Sequence, residues 1–121
     1  MSNPIVLVAD DARLIADSLV MILNQSGFQA TSVYGGKQAV ETALELKPDY
    51  LVCDVCMHGM NGVEAAKHIS EFCPQCKVIL CSGNAAAAEL VEEASAHGLA
   101  FDFLEKPFHP TVLLGCLKTE P

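Results

Sequence analysis

Five short apolar runs, separated by stretches of helical periodicity, constrain this chain more than any other feature of its sequence. Ile5-Val6-Leu7-Val8-Ala9 is apolar at every position and ends in Asp10-Asp11, the pattern of a strand buried on both faces of a parallel sheet. From about Ala12 to Gln25, Ile15, Leu19, Ile22 and Leu23 recur on one helical face, and Gly27 stops the helix. Phe28 to Val33 reads as a second strand, broken by Gly35-Gly36; Ala39, Val40, Ala43 and Leu44 then form a second helical stripe that Pro48 ends. Tyr50 to Cys53 is the third run, terminating in Asp54 before a loop punctuated by Gly59 and Gly62. Val63, Ala66, Ile69 and Phe72 mark a third helix, stopped by Cys73-Pro74. Val78 to Cys81 is the fourth strand and ends at Ser82-Gly83. A fourth helix runs roughly from Ala85 to Ala96, Phe101 to Leu104 is the fifth strand, and a short last helix carries Val112, Leu113, Cys116 and Leu117.

Strict strand/helix alternation with short connections implies a parallel sheet with helices on both faces, because right-handed crossovers of this length permit little else. The expected class is therefore α/β, a doubly wound, flavodoxin-like (βα)5 unit in strand order 2-1-3-4-5. A closed eight-unit barrel needs about 250 residues, and this chain has 121, read as a single domain over 1–121. Apolar residues make up 51% of the chain, enough for a substantial core. Seven basic against fifteen acidic side chains, a net charge of −8, argue against binding nucleic acid. The longest apolar runs fall far below the about 20 residues that span a bilayer, and no basic, apolar leader opens the chain; the expected location is the cytoplasm.

The six cysteines include two C-x-x-C pairs, Cys53/Cys56 and Cys73/Cys76, whose spacing suggests a zinc ribbon. Cys56, however, follows the third strand, while Cys73 and Cys76 follow the third helix. A helix of about 11 residues, about 16 Å long, separates them. The four thiols therefore cannot share one metal. Cys53, Cys81 and Cys116 read as small core residues, and Cys73/Cys76 as at most a local redox pair.

The polar residues fall where the strands end. Asp10 and Asp11 follow the first strand, Asp54 the third, Ser82 the fourth and Lys106 the fifth. In a parallel sheet all carboxyl ends share one edge, so these five converge on one mouth. Clustered carboxylates are tolerable when a cation sits among them, and an all-oxygen donor set suits Mg²⁺. Asp54, central in the sheet, is placed to act as a nucleophile toward phosphorus, with Lys106 as a point charge and Ser82 as a hydrogen-bond donor.

Val8-Ala9-Asp10-Asp11, Pro48-Asp49-Tyr50-Leu51-Val52-Cys53-Asp54, Met57-His58-Gly59-Met60-Asn61-Gly62, Val78-Ile79-Leu80-Cys81-Ser82-Gly83 and Phe101-Asp102-Phe103-Leu104-Glu105-Lys106-Pro107-Phe108 occur in this order. Together they resemble the receiver domain of bacterial two-component response regulators over essentially the whole chain. The resemblance implies that Asp54 accepts phosphate from a histidine kinase or phosphotransfer protein. It implies Mg²⁺ held by Asp11, Asp54 and the backbone carbonyl of Cys56, with Asp10 acting mainly through water. It implies a switch in which Ser82 moves toward the phosphoryl group and Phe103 turns inward, changing the surface of the fourth helix, fifth strand and fifth helix. The output then passes to a downstream protein or a C-terminal output domain, and a homodimer on phosphorylation is one possible form. A cis Lys106-Pro107 bond is also implied. Two positions depart from the family pattern: His58 stands where proline is usual, and Asn61 where aspartate is usual.

The chain is thus expected to be a signalling phosphoacceptor rather than a metabolic enzyme. An aspartyl phosphohydrolase of the dehalogenase-like family needs Asp-x-Asp after the first strand, and Asp10-Asp11-Ala12 lacks it. A nucleotide-binding flavodoxin-like protein needs a Gly-rich phosphate loop there, which is absent. The remaining alternative is a receiver-like scaffold that works without phosphorylation.

Overall fold

The computed structural model describes residues 3–99 and 101–117. The elements follow as β1 (Ile5–Ala9), α1 (Arg13–Gln25), β2 (Gln29–Val33), α2 (Gly36–Leu46), β3 (Tyr50–Asp54), α3 (Gly62–Phe72), β4 (Lys77–Ser82), α4 (Ala85–Ala96), β5 (Asp102–Glu105) and α5 (Pro110–Cys116). All strand pairs are parallel and the sheet order is β2-β1-β3-β4-β5. The doubly wound (βα)5 architecture expected from the alternation is the one observed. No helix among the described residues is long and apolar enough to cross a membrane.

The continuous apolarity of β1, β3 and β4 follows from burial on both faces. Leu7, Ala9, Leu51, Cys53, Val78 and Leu80 point into a core closed by α2, α3 and α4. Val6, Val8, Val52, Ile79 and Cys81 point the other way, into a core closed by α1 and α5. Adjacent residues on a strand alternate faces, so neither layer can lose its apolar set without exposing the sheet.

Two strands start one residue later than the sequence expectation, and β4 starts one earlier, at Lys77. Phe28 is buried, but its N–H donates to the Leu23 carbonyl at 3.1 Å, closing the end of α1, so β2 begins at Gln29. Phe101 packs against the core before the first rung of β5, which pairs Asp102 with Ile79. At its other end β5 runs on to Glu105, opposite Ser82, although the apolar run stops at Leu104. In both places side-chain apolarity and backbone pairing diverge, and the ladder sets the strand.

The loop after β3 is pinned by close backbone approach. The Gly62 N–H donates to the Val55 carbonyl at 2.8 Å, and a Cβ on Gly62 would collide with the Asp54 carbonyl and lie 2.9 Å from Val55 Cα. Gly36 meets the same loop, where a Cβ would collide with the Met60 carbonyl. Asn61 then caps α3: its side chain accepts from the Glu64 N–H at 2.9 Å while Glu64 accepts from the Asn61 N–H, a reciprocal capping box. Gly62→Ala forces this contact apart, and its urea unfolding free energy is expected to fall by about 1–3 kcal/mol.

Candidate functional site

Strand register brings the polar residues together. Ala9 lies opposite Cys53, so Asp10 is level with Asp54, which itself pairs with Cys81. Ser82 pairs with Glu105, and the Lys106 N–H extends that ladder by donating to the Ser82 carbonyl at 3.0 Å. The Lys106-Pro107 peptide bond is cis, as expected.

One carboxylate oxygen from each of Asp10, Asp11 and Asp54 lies within 4.8 Å of the others. Asp10 is buried and fully engaged: Oδ1 accepts from the Ala12 N–H at 2.9 Å, and Oδ2 accepts from Lys106 Nζ at 2.7 Å. The same ammonium stands 3.5 Å from Asp54 Oδ1. Burial pushes the Asp54 carboxyl above the usual carboxylate range, and the charges of Asp10 and Asp11 add to that rise. Lys106 opposes it without cancelling it. Lys106 is itself partly desolvated, which favours its neutral form. The Asp10 hydrogen bond and the two carboxylate charges outweigh that effect and raise its pKa.

Three carboxylates against one ammonium leave the cluster crowded with negative charge, and its donors among these residues are all oxygen. That chemistry fits a hard divalent cation such as Mg²⁺, which takes one or two carboxylates and keeps several waters. Asp11 and Asp54, with Asp10 beside them, offer carboxylate oxygens that could hold it.

Ser82 and Cys56 stand at the same edge but outside this contact set. Ser82 is buried, and its Oγ accepts from the Asn84 N–H at 3.0 Å, at the start of α4. The Cys56 thiol is exposed and 3.7 Å from Ser82 Oγ. Sequence reasoning missed the ring of His58, whose Nδ1 reaches Asp11 Oδ2 at 2.9 Å from the loop after β3. The proline-less position was visible, but the contact spans 47 residues and depends on the loop's conformation.

The cysteines are free thiols. Cys73 and Cys76 are buried between α3 and β4, across the sheet from the acid cluster, and burial pushes the Cys76 thiol up to about 12. Their burial makes a reactive redox pair a poor fit. Cys53 and Cys81 are core residues as expected. Cys116 is only half-buried, packed on the core's flank with its Sγ 3.5 Å from the Val112 carbonyl.

This arrangement agrees with what the chain resembles. Residues 6–118 match the family model of the response regulator receiver domain. The chain belongs to the response-regulator receiver family. It is 37% identical to the chemotaxis protein CheY of Thermotoga maritima over 113 residues, 93% of this chain and 92% of that one. It is 33% identical to CheY of Bacillus subtilis, covering 85% of each chain. Among solved structures it is similar to the receiver domain of the Francisella response regulator 1452, with a TM-score of 0.81 and 29% identity, covering 94% of this chain and 93% of that one. As a receiver domain it is a component of two-component signalling rather than of metabolism.

The raised Asp54 pKa has a thermodynamic consequence for this receiver. A carboxyl that binds its proton more tightly when folded is stabilising below its unfolded value, and that contribution is lost as pH rises through the folded value. In EDTA at neutral pH, Asp54→Asn is therefore expected to melt higher than the wild type. The gap should narrow as pH falls through the carboxylate range, as followed by circular dichroism.

Proposed function

We propose that Asp54 is the phosphoacceptor, and that a histidine kinase or phosphotransfer protein is its donor. The observation that carries this reading is the position of the Asp54 carboxylate, central in the sheet, 3.5 Å from Lys106 Nζ and within the acid cluster. An Asp54 oxygen attacks phosphorus of the donor's phosphohistidine, the N–P bond breaks, and the imidazole leaves with the electron pair. An acyl phosphate on Asp54 results. Asp11, Asp54 and the Cys56 carbonyl would hold Mg²⁺, with Asp10 supporting them; when bound, it would supply positive charge for the phosphoryl oxygens. Lys106, steadied by Asp10, places a second positive charge against the same group. We place the protein in the cytoplasm, where its thiols stay reduced.

The same residues connect phosphorylation to a surface. Ser82 Oγ now accepts from the Asn84 N–H, the residue that caps α4. A cavity of about 280 Å³ beside it is lined by Gly83, Ala85, Ala88 and Phe103, and Phe103 is only half-buried. When Ser82 turns to donate to a phosphoryl oxygen, it releases Asn84, and the Phe103 ring has space to move inward. The α4–β5–α5 face thereby changes shape for a downstream protein or output domain.

The donor's approach is marked by apolar residues that α1 leaves uncovered. Leu14 is 82% exposed and Ile15 44% exposed, and Ile15 and Leu19 line a groove with Lys106, Pro107 and Phe108 next to the acid cluster. Such a patch at the rim of the reacting groups suits a protein contact.

Incubation with acetyl phosphate and Mg²⁺ is expected to add one phosphoryl group by intact mass, with none in EDTA and none in Asp54→Asn. An adduct that survives in Asp54→Asn contradicts the assignment. Ile15→Asp is expected to slow transfer from a phosphorylated phosphotransfer protein about tenfold, the effect of losing about 1.4 kcal/mol at an interface. It should leave the reaction with acetyl phosphate unchanged, which a radiolabel time course distinguishes.

A further inference from the structure

His58 stands four residues after Asp54, and the receiver's phosphotransfer chemistry assigns it nothing. Two of its donors converge on one atom: the backbone N–H and the ring Nδ1 reach Asp11 Oδ2 at 3.3 and 2.9 Å. The other two acids of the cluster are anchored from within the sheet, Asp10 by the Ala12 N–H and Lys106, and Asp54 by Lys106. Asp11 is not. Among the described residues, His58 supplies every hydrogen bond and ion pair to its carboxylate. Asp11 also sits on the link between β1 and α1, where Ala12, the N-cap residue, makes no side-chain cap.

We propose that His58 is a positioning residue for the divalent cation, fixing Asp11 through the Nδ1–H tautomer so that the second carboxylate oxygen faces the cluster. This rests on the reading of the cluster as the cation site. A carboxylate free to rotate must be ordered when it ligates a metal; one already held by two donors on Oδ2 is not. Outer hydrogen bonds of this kind orient ligands, and their removal typically costs about 10–100-fold in metal affinity. His58 is exposed, with water competing for its bond, so the effect belongs at the lower end. The arrangement also answers the absence of proline at this position. Proline would stiffen the loop by fixing φ; here the loop is instead tied across the site to β1's end.

The test is Mg²⁺ titration by calorimetry on the full chain, with wild type, His58→Ala, His58→Asn, Asp11→Asn and the His58→Ala/Asp11→Asn double variant. His58→Ala is expected to weaken Mg²⁺ about tenfold, while His58→Asn, whose amide N–H can replace Nδ1–H, recovers to within about twofold of wild type. His58→Ala should add nothing once Asp11 is Asn. In the Mg²⁺-loaded protein, long-range ¹H–¹⁵N correlation should show His58 protonated at Nδ1, which a purely structural role would not require. Equal Mg²⁺ affinity in wild type and His58→Ala, with Asp11→Asn weakened, overturns the proposal and leaves the cation site standing. Failure of His58→Asn to rescue a weakened His58→Ala also overturns it, since loop shape rather than the hydrogen bond then matters. Asp11→Asn binding Mg²⁺ as well as wild type removes both the proposal and the site on which it rests.

Discussion

Lys106 Nζ lies 2.7 Å from Asp10 and 3.5 Å from Asp54, and that one ammonium ties the end of β5 to the ends of β1 and β3. The contact joins residues 96 positions apart, so it exists only when the whole sheet is assembled. It is also insufficient. Three carboxylates share a space that one lysine cannot neutralise, and Asp54 responds with a pKa raised by burial and by its acidic neighbours. A buried pair of this kind is weak evidence for stability, and removing one partner strands a charge. The cluster's excess negative charge is what the proposed divalent cation would offset.

The rest of the fold keeps that cluster in place. Two apolar layers clamp β1, β3 and β4, which fixes the height at which Asp10 and Asp54 emerge. Backbone contact then governs the loop above them: Gly62 packs against the Asp54 carbonyl, and the Asn61–Glu64 capping box starts α3 directly behind it. The β3–α3 loop thus enters the site from a fixed point, and it carries both His58 toward Asp11 and Cys56 toward Ser82. Ser82, at the end of β4, is committed to the start of α4 through the Asn84 N–H.

Much of this was legible in the sequence because the physics behind it is local or topological. Runs such as Ile5 to Ala9 announce strands buried twice over, and parallel topology requires their ends to meet, so Asp10, Asp11, Asp54, Ser82 and Lys106 could be grouped without coordinates. Strand starts were less legible where an aromatic packed on the core precedes the ladder: Phe28 spends its N–H on the Leu23 carbonyl, and Phe101 packs without pairing. The Asn61-x-x-Glu64 cap was written in the sequence but hidden inside a loop read as glycine punctuation. The approach of His58 to Asp11 was not accessible, because it depends on loop conformation rather than on any period or spacing.

The central claim is that the charge-crowded Asp54, and not the acids beside it, receives the phosphoryl group. Reductive trapping tests this most directly: borohydride converts an acyl phosphate to an alcohol, so a phosphorylated aspartate becomes homoserine. Peptide sequencing of protein trapped after exposure to acetyl phosphate and Mg²⁺ should place homoserine at position 54 alone. Homoserine at position 10 or 11, or its absence from a protein that has gained a phosphoryl group, would contradict the account.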